Sequence, residues 1–313
     1  MADTSSVKPE AAMKVRIGYG FGTGTRLNDG GFSVVVDALE RLRFDSLWLS
    51  ERIGGEAPDP LVAMSFAAGR TKRLKFGMSV MVLPGRNPVV LAKELATLDR
   101  LSDGRLLPAF GLGVANPHEQ QAFGVERKDR AKIFDEALTV MRSCWNDETT
   151  TFHGERFDYT DLRVLPKPVQ KPLEVWLGGI APSELKRVGR MADGWLPSFI
   201  TPADVAAARP VIEQVASEHE RSVPDDHYGA LIPYAHGPLP DALVAGLAAR
   251  RPDITDPRQL VPQGWDQLLA LIDQFVDVGT TKFVVLPIVE PQGPDGWTAE
   301  LEAAAQLLLP RQT

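Results

Sequence analysis

Val15-Arg16-Ile17-Gly18-Tyr19, the glycine-rich stretch Gly20 to Gly24, the segment 32–42 and Leu47-Trp48-Leu49 together decide the fold. The first is a short apolar strand closed by glycines. In segment 32–42, Val35, Ala38, Leu39 and Leu42 fall at helical spacing, and Leu47-Trp48-Leu49 is a strand again. Strand, helix, strand is one βαβ unit, and the chain keeps repeating it. A helix over 60–69 carries proline in its first turn. It is followed by a strand over 76–83, a helix over 88–101, a strand over 106–111 and a helix over 129–145. Residues 146–172 interrupt the pattern with prolines and aromatics. Strands are then expected over 174–177, 194–197, 228–234 and 282–289, with helices over 183–191, 202–220, 265–278 and about 298–309. Eight strands, each followed by a helix, is the count of a (β/α)8 TIM barrel; doubly wound open sheets usually stop at about five to seven.

A chain of 313 residues and 34.2 kDa suits one such barrel with insertions. The expected organisation is a flexible polar tail over 1–12 and a single domain over 13–313. With 44% hydrophobic and 24% charged residues, the composition is that of an ordinary globular protein. The net charge of −7 has no basic face to displace counterions, which disfavours a nucleic-acid binder and a polybasic membrane anchor. The N-terminus lacks the apolar core of a signal peptide, and the longest apolar runs, such as 283–289 with Pro287 inside it, fall far short of the ~20 residues of a membrane span. A soluble cytoplasmic protein is expected. The lone Cys144 permits no intrachain disulfide and no cysteine-held zinc, and its apolar neighbours predict a buried thiol.

Barrel chemistry sits at the C-terminal ends of the strands. Those ends carry Tyr19, Glu51-Arg52, Ser79 to Leu83, Gly111 to Asn116, Gly178-Gly179, Pro197-Ser198, Tyr234 to His236 and Glu290. The set holds no His, Asp or Glu cluster with metal-ligand spacing. His118, His153, His219 and His227 read as surface histidines, and no Gly-x-Ser-x-Gly elbow supports a serine nucleophile. Leu177-Gly178-Gly179-Ile180-Ala181-Pro182 joins a strand to a helix, so its amides and the helix dipole suit an anion. Gly111-x-Gly113 is too short for a dinucleotide fingerprint. Ser79-Val80-Met81 is apolar and suited to lining a flat ring. The pocket walls are expected from loops 115–127, 146–172 and 237–264.

Four stretches, taken in order, resemble the luciferase-like monooxygenase superfamily, whose members use flavin mononucleotide (FMN) or the deazaflavin coenzyme F420. They are Phe44-Asp45-Ser46-Leu47-Trp48-Leu49-Ser50-Glu51; Gly77-Met78-Ser79-Val80 continuing through Asn87-Pro88 to Leu101-Ser102-Asp103-Gly104-Arg105; Phe110-Gly111-Leu112-Gly113-Val114 with Glu119 and Phe123-Gly124; and Gly178-Gly179 through Gly189-Arg190-Met191-Ala192-Asp193-Gly194-Trp195. The resemblance implies a TIM barrel with the cofactor ring at the strand ends. It also implies a bulged third strand at Ser79-Val80, often with a non-prolyl cis peptide. Cofactor contacts are implied for Met78, Ser79, Val80, Gly111, Gly113 and Asn116, with the phosphate on the amides of Gly178, Gly179, Ile180 and Ala181. A homodimer through the early helices is implied as well.

Within the superfamily the chain looks most like the actinobacterial F420 branch. Members that oxidise sugar phosphates carry Asp-His after the serine and Gly-Glu after the fourth strand; here those places hold Glu51-Arg52 and Gly113-Val114. Arginine stays charged and cannot abstract a proton at pH 7. The expected activity is therefore hydride transfer between C5 of F420 and a small organic substrate, with reduction of C=C or C=N favoured over alcohol oxidation. Glu51, Arg52 and His236 are the catalytic candidates, with Tyr19, Asn116, Tyr234 and Glu290 as further pocket groups. The competing readings are an FMN-dependent monooxygenase fed by a separate reductase, and a non-catalytic barrel that binds a flavin or deazaflavin. Basic side chains beyond the phosphate, such as Lys186, Arg187 or Arg190, favour F420 if they face the cofactor tail.

Overall fold

The computed structural model describes residues 14–27 and 30–313. The expected tail over 1–12 lies outside the described residues. Eight strand positions follow one another as expected: β1 Arg16–Phe21, β2 Ser46–Leu49, β3 in two pieces (Lys75–Met78 and Met81–Val82), β4 in two pieces (Leu106–Leu107 and Ala109–Gly111), β5 Trp176–Leu177, β6 Gly194–Trp195, β7 Gly229–Tyr234 and β8 Lys282–Pro287. One parallel sheet runs β7-β8-β1-β2-β3-β4, and a second runs β6-β5-β4-β3 through the later halves of β3 and β4. Parallel bridges Trp195–Tyr228 and Ser198–Leu231 join β6 to β7, so the circuit returns to its start. The fold is a (β/α)8 TIM barrel.

The break in β3 falls at a cis Ser79-Val80 peptide, where the bulge was expected. That in β4 falls at Pro108, which has no N–H to give to a sheet ladder. The outer layer comprises α1 Gly31–Leu42, α2 Pro60–Arg70, α3 Pro88–Leu101, α4 Pro117–Phe123, α5 Arg130–Asn146, α6 Pro182–Met191, α7 Pro202–Glu218, α8 Asp241–Arg250, α9 Trp265–Asp277 and α10 Gly293–Leu308. Several start on side-chain caps that satisfy otherwise unpaired N–H groups, as Asn87 does for α3 at 3.0 and 3.1 Å. Two of these helices lie where loops were expected. Helix α4 spans only two turns, between the Asn116 cap and Gly124 at φ 63°, and α8 lies within the 237–264 insertion. The 146–172 excursion folds into an antiparallel hairpin, Thr150–His153 with Asp158–Leu162.

Side chains alternate across the barrel wall. Ile17, Tyr19 and Phe21 on β1, and Ala230, Ile232 and Tyr234 on β7, face the helices and belong to the large outer core. The barrel interior is a smaller cluster of Trp48, Ala109, Trp176, Leu196, Leu231, Val284 and Leu286. Trp48 fits because its neighbours have no side chain: a Cβ at Gly77 would lie 2.9 Å from its ring, and one at Gly18 would lie 2.9 Å from its Nε1. Cys144 is buried, as its neighbours predicted.

At the floor of the barrel, Lys282 is buried, ion-paired to Asp45 and 5.5 Å from the Trp48 ring centroid. A second lysine, Lys75, lies 3.5 Å from Asp45. Burial raises the Asp45 carboxyl, but the two lysines and the Ser46 hydroxyl outweigh it and hold it well below the usual carboxylate range. The pair therefore stabilises the fold above the usual carboxylate pKa of ~3.9 and loses that contribution as pH falls below it. Asp45→Asn is expected to cost about 3 kcal/mol at pH 7, because Lys282 is left buried without its partner. It should also flatten the acid limb of stability against pH, as read by urea unfolding between pH 7 and 3.

Candidate functional site

At the C-terminal end of the barrel lies a cavity of about 450 Å3 lined by residues from all eight strand ends. Its apolar base is Val80, Leu196, Leu231 and Leu286, the upper layer of the inner core. Val80 enters because the β3 break turns it inward against Gly111, where any Cβ would collide with the Val80 methyl. Ser50 Oγ donates to the Ser79 carbonyl at 3.1 Å, tying β2 to the same break.

Glu51 and Arg52 line the cavity side by side, yet they do not pair. The Glu51 side chain is 4% exposed and accepts the Val82 N–H at 2.7 Å and the guanidinium of Arg86. Arg86 in turn donates Nε to the Val82 carbonyl at 2.9 Å. Burial pushes the Glu51 carboxyl up, and Arg86 opposes that shift. Arg86 is thus an ion-pair partner of the site. Arg52 is exposed at the mouth and has no ion-pair or hydrogen-bond partner for its side chain among the described residues. Glu119 reaches in from α4 and accepts the N–H groups of Ile53 and Gly54 at 3.2 and 3.1 Å, fixing the loop that carries Arg52.

On the opposite side, Gly178 and Gly179 line the cavity at the start of α6. Trp195 Nε1 donates to the Gly179 carbonyl at 2.9 Å, which gives the tryptophan of the Asp193-Gly194-Trp195 stretch a positioning task. Asp193 locks the neighbouring backbone, accepting from Val175 N–H, Arg142 and Arg221 at 2.7 to 2.9 Å. Three arginines line this side. Arg130 donates to the Gly113 carbonyl at 2.8 Å. Arg187 is paired to Asp135 at 2.6 Å, and Arg250 stacks on Phe199 at 4.9 Å. Of the basic residues singled out on α6, only Arg187 lines the cavity; Arg190 is bound to Asp135 on the outer side.

Several expected pocket groups lie elsewhere. Tyr19 and Tyr234 meet at 2.7 Å outside the barrel, beneath α10, because their strand parity points them at the helices. Burial pushes both phenols well above their usual value. His236 continues this outer chain, 2.9 Å from Glu300 and 5.0 Å from the Trp265 ring, so it does not reach the cavity. Glu290 accepts the amides of Arg26 and Leu27 at 2.9 and 2.8 Å, and Asn116 caps α4. Met78 faces the outer core. Ile180 packs against that core, and the Ala181 N–H donates to Glu184 at 3.0 Å. Loops 115–127 and 237–264 supply Glu119 and Arg250, but no lining residue comes from 146–172. His227 is also not a surface residue: it is 12% exposed and bonded to the Asp193 carbonyl at 2.7 Å. Glu119, Glu184, Arg130 and Arg250 were not identified from sequence as site residues; their spacing shows no pattern, because helices and loops distant in sequence bring them together.

The profile of the luciferase-like monooxygenase family matches residues 32–274. The chain belongs to this family. Among its relatives are an F420-dependent glucose-6-phosphate dehydrogenase of Kineococcus radiotolerans, 32% identical over 50% of this chain and 49% of that one, and another of Amycolatopsis mediterranei, 30% identical over 59% of each. The matches therefore span only about half the length of these curated relatives. Among solved structures, the monooxygenase RslO1 from Streptomyces bottropensis superposes with a TM-score of 0.77 at 19% identity, covering 95% of this chain and all of that one. An F420-dependent secondary alcohol dehydrogenase in complex with an F420–acetone adduct gives 0.75 at 21% identity, covering 92% and 98%. At these identities the structural likeness shows the shared barrel.

The contact between Gly111 and Val80 makes a direct test of the base. Gly111→Ala is expected to cost about 1–3 kcal/mol through overpacking, measured as a shift of the urea midpoint at unchanged slope.

Proposed function

We propose that this luciferase-like protein is an F420-dependent oxidoreductase that transfers a hydride between C5 of the deazaflavin and a small organic substrate, reducing an activated C=C or C=N bond. The observation that carries the reading is the 450 Å3 cavity over the broken β3, which has an apolar base for a ring and arginines for an anion. Its size lies within the range of about 300–1,000 Å3 usual for small-molecule sites. Its residues fit the group: the glycines at 111, 113, 178 and 179 leave backbone exposed where a flat ring and an acidic tail need close approach. F420-dependent relatives point the same way.

When bound, the coenzyme supplies the hydride chemistry, and the protein supplies geometry and electrostatics. Ser79 and Val80 would bear on the ring, and Gly178 to Ala181, with Arg130, Arg187 and Arg250 nearby, would hold its anionic part. Glu51 has both oxygens engaged by Val82 and Arg86, so it positions the segment after the break instead of moving protons. Arg52, at the mouth and without a side-chain partner among the described residues, would hold negative charge on the substrate or on the reduced ring. The carboxylates lining the cavity, Glu51, Glu119 and Glu184, each already accept hydrogen bonds, and no histidine lines it among the described residues. Alcohol oxidation needs a free base within reach of the hydroxyl. Reduction needs only a proton from water, which favours the reductive direction.

Fluorescence titration of the purified protein with F420 and, separately, FMN tests the assignment. Binding of F420 alone, with reduced F420 consumed by an enone or imine, is the expected result. Preference for FMN would move the reading to a monooxygenase supplied by a separate reductase. Binding without turnover of any acceptor would leave a non-catalytic carrier. Arg52→Ala is expected to lower kcat/KM for an anionic acceptor by about tenfold or more, on the scale of a lost charge-assisted contact; unchanged turnover and cofactor affinity would remove Arg52 from the mechanism.

The proposal includes a homodimer through the early helices. Val62 and Phe66 on α2 and Val90 and Leu101 on α3 are 45–78% exposed, a concentration of apolar side chains that suits an interface. Light scattering after size exclusion should give twice the 34.2 kDa chain mass. No helix among the described residues is long and apolar enough to cross a membrane, and a cytoplasmic location is proposed with the rest.

A further inference from the structure

The Gly178–Ala181 loop is the part of the cavity suited to an anion, yet a carboxylate of this chain already occupies it. Glu184, the third residue of α6, folds back so that the Ala181 N–H donates to its Oε2 at 3.0 Å. The same carboxylate sits against Gly179, where any Cβ would collide with it; this position is glycine, with φ 89°. Glu184 lines the cavity and faces the open space above the loop. The loop cannot back away, because the Gly179 carbonyl is held by Trp195 and a Cβ at Gly178 would lie 3.1 Å from the Leu196 carbonyl. The charged groups facing Glu184 come from different elements. Arg250 from α8 is an exposed residue stacked on Phe199, with Ser198 Oγ 3.5 Å away and, among the described residues, no carboxylate within ion-pair distance. Partial desolvation beside Phe199 pushes this guanidinium down, and Glu184 is the negative charge that opposes that shift. Arg187 is already taken by Asp135.

We propose that Glu184 sets the selectivity of this cavity for the charge on its cofactor: its carboxylate competes for the loop amide that a phosphate would use, and it must turn toward Arg250 before a phosphorylated ring can seat. The inference rests on the ring-binding function proposed above and concerns only how the anionic part is received. As long as Glu184 stays folded back, a ring without phosphate pays no such penalty, while a phosphate meets a like charge within a few ångström. That contact weakens binding on the scale of about tenfold near a protein surface.

The test is a fluorescence titration of the wild type, Glu184→Gln and Glu184→Ala with FMN, F420 and riboflavin, which has the ring without the phosphate. Glutamine keeps a hydrogen-bond acceptor for the Ala181 amide, and a thermal melt of each variant shows that the barrel is intact. FMN and F420 are expected to bind Glu184→Gln about tenfold more tightly than wild type, with riboflavin unchanged within about twofold. Unchanged or weakened FMN affinity in both variants, or an equal gain for riboflavin, would overturn the inference while leaving the ring-binding function standing. Failure of all three compounds to bind wild type and variants alike would overturn both.

Discussion

The packing of Trp48 into the barrel is the constraint on which the site depends. Its indole fills the interior because Gly18 and Gly77 on the flanking strands have no side chains, and its Nε1 is satisfied by Ser46 Oγ at 2.9 Å. Below it the buried Lys282–Asp45 pair closes the floor, and above it Val80, Leu196, Leu231 and Leu286 form the next layer. That layer is also the base of the cavity. The depth at which a ligand can sit is therefore set by a plug of side chains and by the glycines that admit it.

The rim follows a different physical logic. Each carboxylate lining the cavity is tied by backbone amides or an arginine: Glu51 to Val82 and Arg86, Glu119 to Ile53 and Gly54, Glu184 to Ala181. Such carboxylates fix loops, and they leave Arg52, Arg130 and Arg250 without a carboxylate partner among the described residues. A site with rigid acids and available guanidiniums is equipped to hold an anion rather than to exchange protons. The aromatic–acid chain of Tyr19, Tyr234, Glu300 and His236 has titratable groups in abundance, but it joins β1, β7 and α10 behind the barrel wall.

Much of this was legible in the residues. The alternating pattern located all eight strands, and the β3 break fell at Ser79-Val80 as the family resemblance implied. The resemblance also singled out Glu51, Arg52, Gly111 and Gly178-Gly179, which share one cavity. Three of the misplaced groups share one source. Tyr19 lies within β1, and Tyr234 and His236 at or just beyond the end of β7, all on the outward parity; a barrel strand is apolar on both faces, so hydrophobicity alone does not say which parity points inward. The small residues Gly18, Gly20 and Gly77 were the available cue, since a filled barrel leaves its inward positions little room.

The sequence by itself determined the order of the eight barrel strands and the glycine loop at 178–179, because these depend on contacts within a few residues. Only the tertiary structure decided the pairing of Glu51 with Arg86 and the entry of Glu119 and Arg250 into the cavity. The contact of Glu184 with the Ala181 amide is by contrast local, the third residue of α6 reaching back to the residue before the helix, while Trp195 of β6 holds the Gly179 carbonyl. Charge pairing at a barrel mouth is settled by which loops converge there, and convergence is a property of the closed ring that no local spacing encodes.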